Sequence, residues 1–208
     1  LSAGNGRAKL FEVGSTNFDD LTARNLKLTT RNGELSITAS NAESVGFKLG
    51  NNSWNGLSGS NLRVKNKNKL TTVDIDNLSA KNSNLGDVKL GNLRAKSFSF
   101  KDQSTRTDLL IKGVTSETAQ IDGTRIAGIE SPEIVITDGS VDTKIYADRL
   151  RVAKITSGSA VLGSLNIAGV RMTIREGRIE ATSNDIDAGN IAITKNASLP
   201  EGGSVSGV

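Results

Sequence analysis

The sequence predicts an all-β fold, a β-solenoid or parallel β-helix-like stack of rungs about 18–20 residues long. Three observations carry this: a repeat with a 36-residue period, an apolar pattern that alternates like strands, and a turn-rich composition. "LTARNLKLTT" at 21–30 is followed at 36-residue steps by "LSGSNLRVKN", "LRAKSFSFKD" and "IESPEIVITD". Set in rows of 36, Leu21, Leu57, Leu93, Ile129 and Leu165 share one column. Leu26, Leu62, Phe98, Ile134 and Val170 share a second, and Leu28, Val64, Phe100, Ile136 and Met172 a third.

The same motif recurs out of step at 145, 167 and 186, so the structural unit is half of the 36-residue period. That is too short for a βαβ unit of roughly 30 residues. A β-sandwich of repeated hairpins is the alternative architecture. No stretch of ten or more residues carries helical periodicity.

Within the motif the apolar positions are 1, 3, 6 and 8. A flat strand would send the first two to one face and the last two to the other. Burying all four on one side requires a bend between them, at Arg24-Asn25, Ser60-Asn61, Lys96-Ser97, Pro132-Glu133 and Asp148-Arg149. These pairs are polar and turn-tolerant. The small third residue (Ala23, Gly59, Ala95, Ser131, Ala147) then fits where two walls converge. Turns follow the motif at "RNGELSI", "GSVDTKI" and "REGRIEA". Between Leu78 and Phe100 the pairs tighten to every five residues, as in pentapeptide-repeat solenoids. The expected layout is a cap or lead-in strand over 1–20, one repeat domain over 21–195 and a linker over 196–208. "LPEGG" at 199–203 lacks the Thr of a sortase signal and belongs to that linker.

Composition narrows the chemistry. The 208 residues include 22 Gly, 2 Pro, no Cys and no His, with a net charge of +4. Without Cys or His there is no disulfide, no zinc-thiolate site, no thiol nucleophile and no imidazole base. No apolar run reaches the roughly 18 residues needed to cross a bilayer as a helix. The chain opens at Leu1 without a leader, as a piece of a longer product would. No enzyme activity, cofactor or metal site is expected.

Leu21, Ala23, Leu26, Leu28, Thr30, Asn32, Gly33, Glu34 and Leu35 together match a known pattern. "LTARNLKLTTRNGELSI" resembles the bacterial β-strand-repeat adhesin family of the YvlB and LiaX type. Later copies keep the apolar skeleton and lose the Asn-Gly turn. The resemblance implies an extracellular, cell-surface module tied to cell-envelope stress and antimicrobial-peptide resistance. It implies a partner in the envelope or in another domain of the same chain. "AGNIAITKN" at 188–196 is similar to secreted β-helices of the haemagglutinin type, which points to an adhesin or glycan-binding role as the alternative.

In "RVKNKNK", alternation puts Arg63, Lys65, Lys67 and Lys69 on one face, with Lys27 one period before Arg63 and about 10 Å away. This basic strip is a candidate site for an anionic envelope polymer or lipid, set against the plainer role of a solvated face that blocks edge-to-edge pairing. Trp54, in the turn-like "NNSWNG", is a candidate partner anchor or else a cap folded over a rung. Arg149, Arg151, Lys154, Arg171, Arg175 and Arg178 form a second basic group. Asp74/Asp76 and Asp185/Asp187 are paired carboxylates, read as exposed. The weak basic bias and scarce aromatics argue against nucleic acid.

Overall fold

The computed structural model describes residues 1–193 apart from 104, 122, 159, 176, 177 and 190. The linker expected over 196–208 lies outside the described residues.

The turns set the architecture. Two-residue turns link most of the long strands, and one or both of their residues take the left-handed conformation that tight hairpins require. Asn32 and Gly33 have φ of 50° and 72°, and Asn68 and Lys69 have 50° and 64°. Between such turns run β1 (Ser2–Val13), β2 (Thr16–Arg31), β3 (Glu34–Leu49), β4 (Asn52–Lys67), β5 (Leu70–Leu85) and β6 (Val88–Gln103). β7 (Arg106–Ile121), β8 (Thr124–Gly139) and β9 (Thr143–Ser157) continue the series. β2 to β8 are each 16 residues long, so strand plus turn makes half of the 36-residue period.

After β9 the rungs break into pieces. β10 (Ala160–Leu162) and β11 (Leu165–Arg175) both pair with β9 and together form the tenth rung. β12 (Arg178–Thr182) and β13 (Asp185–Ala188) pair with β11, and β14 (Ile191–Ile193) pairs with β10, forming the eleventh. The fourteen strands of the described residues belong to one sheet.

Every pairing is antiparallel. The expected parallel stack is therefore not what forms, because each two-residue turn reverses the chain instead of carrying it round to start the next rung in the same direction. Within residues 1–20, the segment expected to be a cap or lead-in strand, lie β1 and the first residues of β2.

Each rung is bent. In β2 and β4, Asn25 (φ 52°) and Asn61 (φ 51°) mark one corner at the polar pair predicted for it. A second corner lies at Asp20 (φ 48°), Gly56 (62°), Asn92 (51°) and Gly128 (64°), again 36 residues apart. The left-handed residues bend the strand, while the β2–β3 register continues unchanged across Asp20 and Asn25. Three walls result, and on β4 they are residues 52–55, 57–60 and 62–67.

Contacts across the fold show that the walls close on one another. Trp54 pairs with Ser83, and Ser83 with Leu90. Phe98 is eight residues farther along β6, about 26 Å away in a flat sheet. Yet the Trp54 and Phe98 rings meet with centroids 5.4 Å apart. The Ser15 hydroxyl in the β1–β2 turn likewise donates to Asp102 at the opposite end of β6.

The core lies between the walls. Phe11, Phe18, Phe47 and Trp54 form a cross-strand aromatic ladder, and Phe98 meets it from the third wall. All five residues of the Leu21 column are buried. Buried serines serve the corners: the Ser44 hydroxyl donates to the carbonyls of Asp19 and Gly46, and Ser116 does the same for Gly91 and Thr118. Carbonyls that the bend takes out of the ladder thus keep donors.

Candidate functional site

Because inward positions are filled by core side chains, ionisable groups are left on the outer faces of the walls. The buried polar residues are only Thr, Ser and Asn among the described residues. The surfaces are therefore where the chain can meet another molecule.

The outer face of the third wall carries the predicted strip. Lys27 pairs with Thr38, and Thr38 with Arg63, so these two cations stand in one row two rungs apart, about 10 Å. Lys65 and Lys67 follow on the same face of β4, and Lys101 on β6 joins them through Thr72. Lys69 does not share this face. β4 ends at Lys67, and the left-handed Asn68-Lys69 pair forms the hairpin turn, braced by Asn66 Nδ2 donating to Thr71 Oγ1 at 2.8 Å. Carboxylates interrupt the strip. Glu34 lies 4.0 Å from Lys67, Asp74 is the cross-strand partner of Arg63, and Asp108 that of Lys101. Such exposed pairs contribute little stability, about 0–1 kcal/mol, but they dilute the field of the strip.

Trp54 is not in a turn. It lies within β4, fully buried, with its ring between Phe47 and Phe98. It presents no surface to a partner, because alternation in the first wall points it inward, into a ladder within the sheet.

The second basic group disperses over three walls. Arg149 and Arg151 face outward from the second wall beside Lys96, and with Glu130 they line a depression of about 350 Å³. Lys154 belongs to the first wall. Arg171 stacks 5.8 Å from the Tyr146 ring centroid, Arg175 pairs with Asp142 at 3.5 Å, and Arg178 with Glu180 at 3.5 Å.

The paired carboxylates serve their neighbours. Asp74 accepts from Ser99 Oγ at 2.6 Å, and Asp76 from Asn61 Nδ2 at 3.0 Å. Asp185 and Asp187 are exposed on β13. Among the described residues no group of three or more His, Cys, Asp or Glu comes together as a metal site, and no helix is long and apolar enough to cross a membrane.

No family model, curated protein or solved structure matches this chain.

Sequence reasoning missed a groove of about 590 Å³ on the outer face of the first wall. It crosses β4 to β9 and holds Lys89, Arg125 and Lys154. The signal was present in the repeat: Lys89 and Arg125 are one period apart in an outward column.

Proposed function

We propose that the chain is a non-catalytic structural and regulatory module of a bacterial cell surface, working in cell-envelope stress or antimicrobial-peptide response through contacts with envelope proteins or acidic polymers. The envelope setting comes from the resemblance of the 21–37 repeat. The observation that carries the contact role is the register of Lys27, Arg63, Lys65 and Lys67 on one outer face, all exposed. The eleven rungs act as a solenoid-like rod on the order of 50 Å long, whose rigidity holds such a face flat against a partner.

Cations spaced near the Debye length of about 8 Å at physiological salt tolerate one another and still sum their attraction for an anionic surface. Co-sedimentation with vesicles tests this. Anionic vesicles should retain the protein, zwitterionic ones should not, and retention should fall as salt rises and in the Arg63→Gln/Lys65→Gln variant. Equal retention on both, indifferent to salt, would reduce the strip to a solvated face.

A further inference from the structure

We propose that the groove on the first wall binds a linear acidic polysaccharide. It lies on a different wall from the basic strip, so this proposal and the strip's role fail independently.

The groove is built from two outward rows that run across the rungs. One contains Asn84, Lys89, Gln120, Arg125 and Thr156, joined in register; the other contains Asn55, Asn82, Gly91, Thr118, Ala127 and Lys154. Six rungs at about 4.8 Å spacing give a track roughly 24 Å long, which suits an extended polymer better than a compact ligand. Gly91 and Ala127 lower the floor of the second row. A Cβ at Gly91 would run into the Thr118 hydroxyl, so the hollow depends on glycine there.

The charges in the groove are of one sign. Lys89 and Arg125 stand two rungs apart across Gln120, about 10 Å. Lys154 is the partner of Ala127 and lies diagonally from Arg125, about 7–8 Å away. No carboxylate lines the groove, and none lies within ion-pair distance of these three cations among the described residues. The nearby Glu117 carboxylate is occupied, accepting from Asn92 Nδ2 at 2.6 Å. Three cations at intervals match an anion that recurs along a chain.

Between the cations stand amides and hydroxyls. Asn55, Asn82 and Gln120 each offer two donors and an acceptor, Asn84 keeps one donor and its acceptor beside its bond to Ser53 Oγ, and Thr118 and Thr156 both donate and accept. That inventory matches sugar hydroxyls, which do both as well. Ala127 and the alkyl stems of Lys89, Arg125 and Lys154 supply carbon surface for the C–H face of a sugar ring. A lipid would call for exposed apolar side chains, and Leu1, Leu10, Val45, Val141, Tyr146 and Ile186 all lie elsewhere. A single-stranded nucleic acid would call for stacking aromatics, and the groove has none.

Calorimetric titration with an oligogalacturonate, its neutral methyl ester and poly(glycerol phosphate) tests the proposal. The acid should bind, the ester should not, and affinity should fall with salt. Lys89→Gln/Arg125→Gln should weaken binding about tenfold or more, while Arg63→Gln/Lys65→Gln leaves it within about twofold, since those charges lie beyond a Debye length. Asn82→Ala/Asn84→Ala should weaken binding without changing its salt dependence. All these side chains are exposed, so melting temperatures should be unchanged. Equal binding of acid and ester, equal loss in the two charge variants, no binding of the acid, or tighter binding of poly(glycerol phosphate) would overturn the proposal.

Discussion

The indole of Trp54 meets the ring of Phe98 edge-on, at an interplanar angle of 89°. One residue belongs to the first wall of β4 and the other to the third wall of β6, so this contact exists only because the bent walls of the open sheet pack against one another. An edge-to-face pair adds about 0.5–1.5 kcal/mol beyond the area it buries, and Trp54 is also held by Phe47 with centroids at 5.0 Å.

Trp54→Ala should therefore destabilise the protein by about 3–5 kcal/mol, as expected for emptying a large core site. Trp54→Phe should cost less than about 1.5 kcal/mol, since it keeps a ring. Among the described residues the indole N–H has no hydrogen-bond partner to lose. Urea denaturation followed by circular dichroism would measure both.

The corner at Asn61 predicts different costs for two small changes. Its φ of 51° lies in the left-handed region, and its amide donates to Asp76. Asn61→Gly keeps the conformation and should cost at most about 1 kcal/mol, from the lost hydrogen bond. Asn61→Val should cost more than Asn61→Gly by about 1–2 kcal/mol, because a β-branched residue resists positive φ. Paired melting curves would show the order, and equal costs would contradict the corner.

Gly59 faces inward beside that corner, where the walls converge. A Cβ there would run into Ile75 Cγ2 and press the Asp76 carbonyl oxygen at 3.2 Å. Gly59→Val should destabilise by about 1–3 kcal/mol through overpacking. The same change at Gly33, whose surroundings are open, should act through its φ alone. Thermal unfolding of the two variants, each measured against the Ile75→Ala background, separates these causes: alanine lacks the Cγ2 methyl, so it should relieve the first and not the second.

Much of this was legible in the sequence. The column of Leu21, Leu57, Leu93, Ile129 and Leu165 located the core, because side chains on equivalent rungs must fill equivalent space. Arg24-Asn25 and Ser60-Asn61 located a corner, because two inward pairs three residues apart cannot lie on one face of a flat strand. The direction of neighbouring rungs was hidden for a specific reason. The inward spacing of Leu21, Ala23, Leu26 and Leu28 is 2, 3, 2, which is the same read from either end. The odd-numbered strands carry it reversed, as Ile37, Ala39, Ala42 and Ser44, so parallel and antiparallel stacks write the same apolar pattern. Only the two-residue Asn32-Gly33 turn distinguished them. The second corner was missed although Asp20, Gly56, Asn92 and Gly128 repeat at 36, since no two of the first three share a residue type. The groove was missed because its cations come from β6, β8 and β9, and their nearness depends on the register and not on any one stretch of chain.

The central claim, closure of one antiparallel sheet into three walls, is tested most directly by a distance between its two ends. The chain has no cysteine, so Ser15→Cys/Asp102→Cys carries a spin-label pair without background. In an unfolded flat sheet the two positions would be separated by fourteen residues along the strand direction, about 46 Å. Pulsed electron-electron resonance should instead give a single short distance, in keeping with the contact between Ser15 and Asp102. A distribution centred near the flat-sheet value would contradict the closed fold.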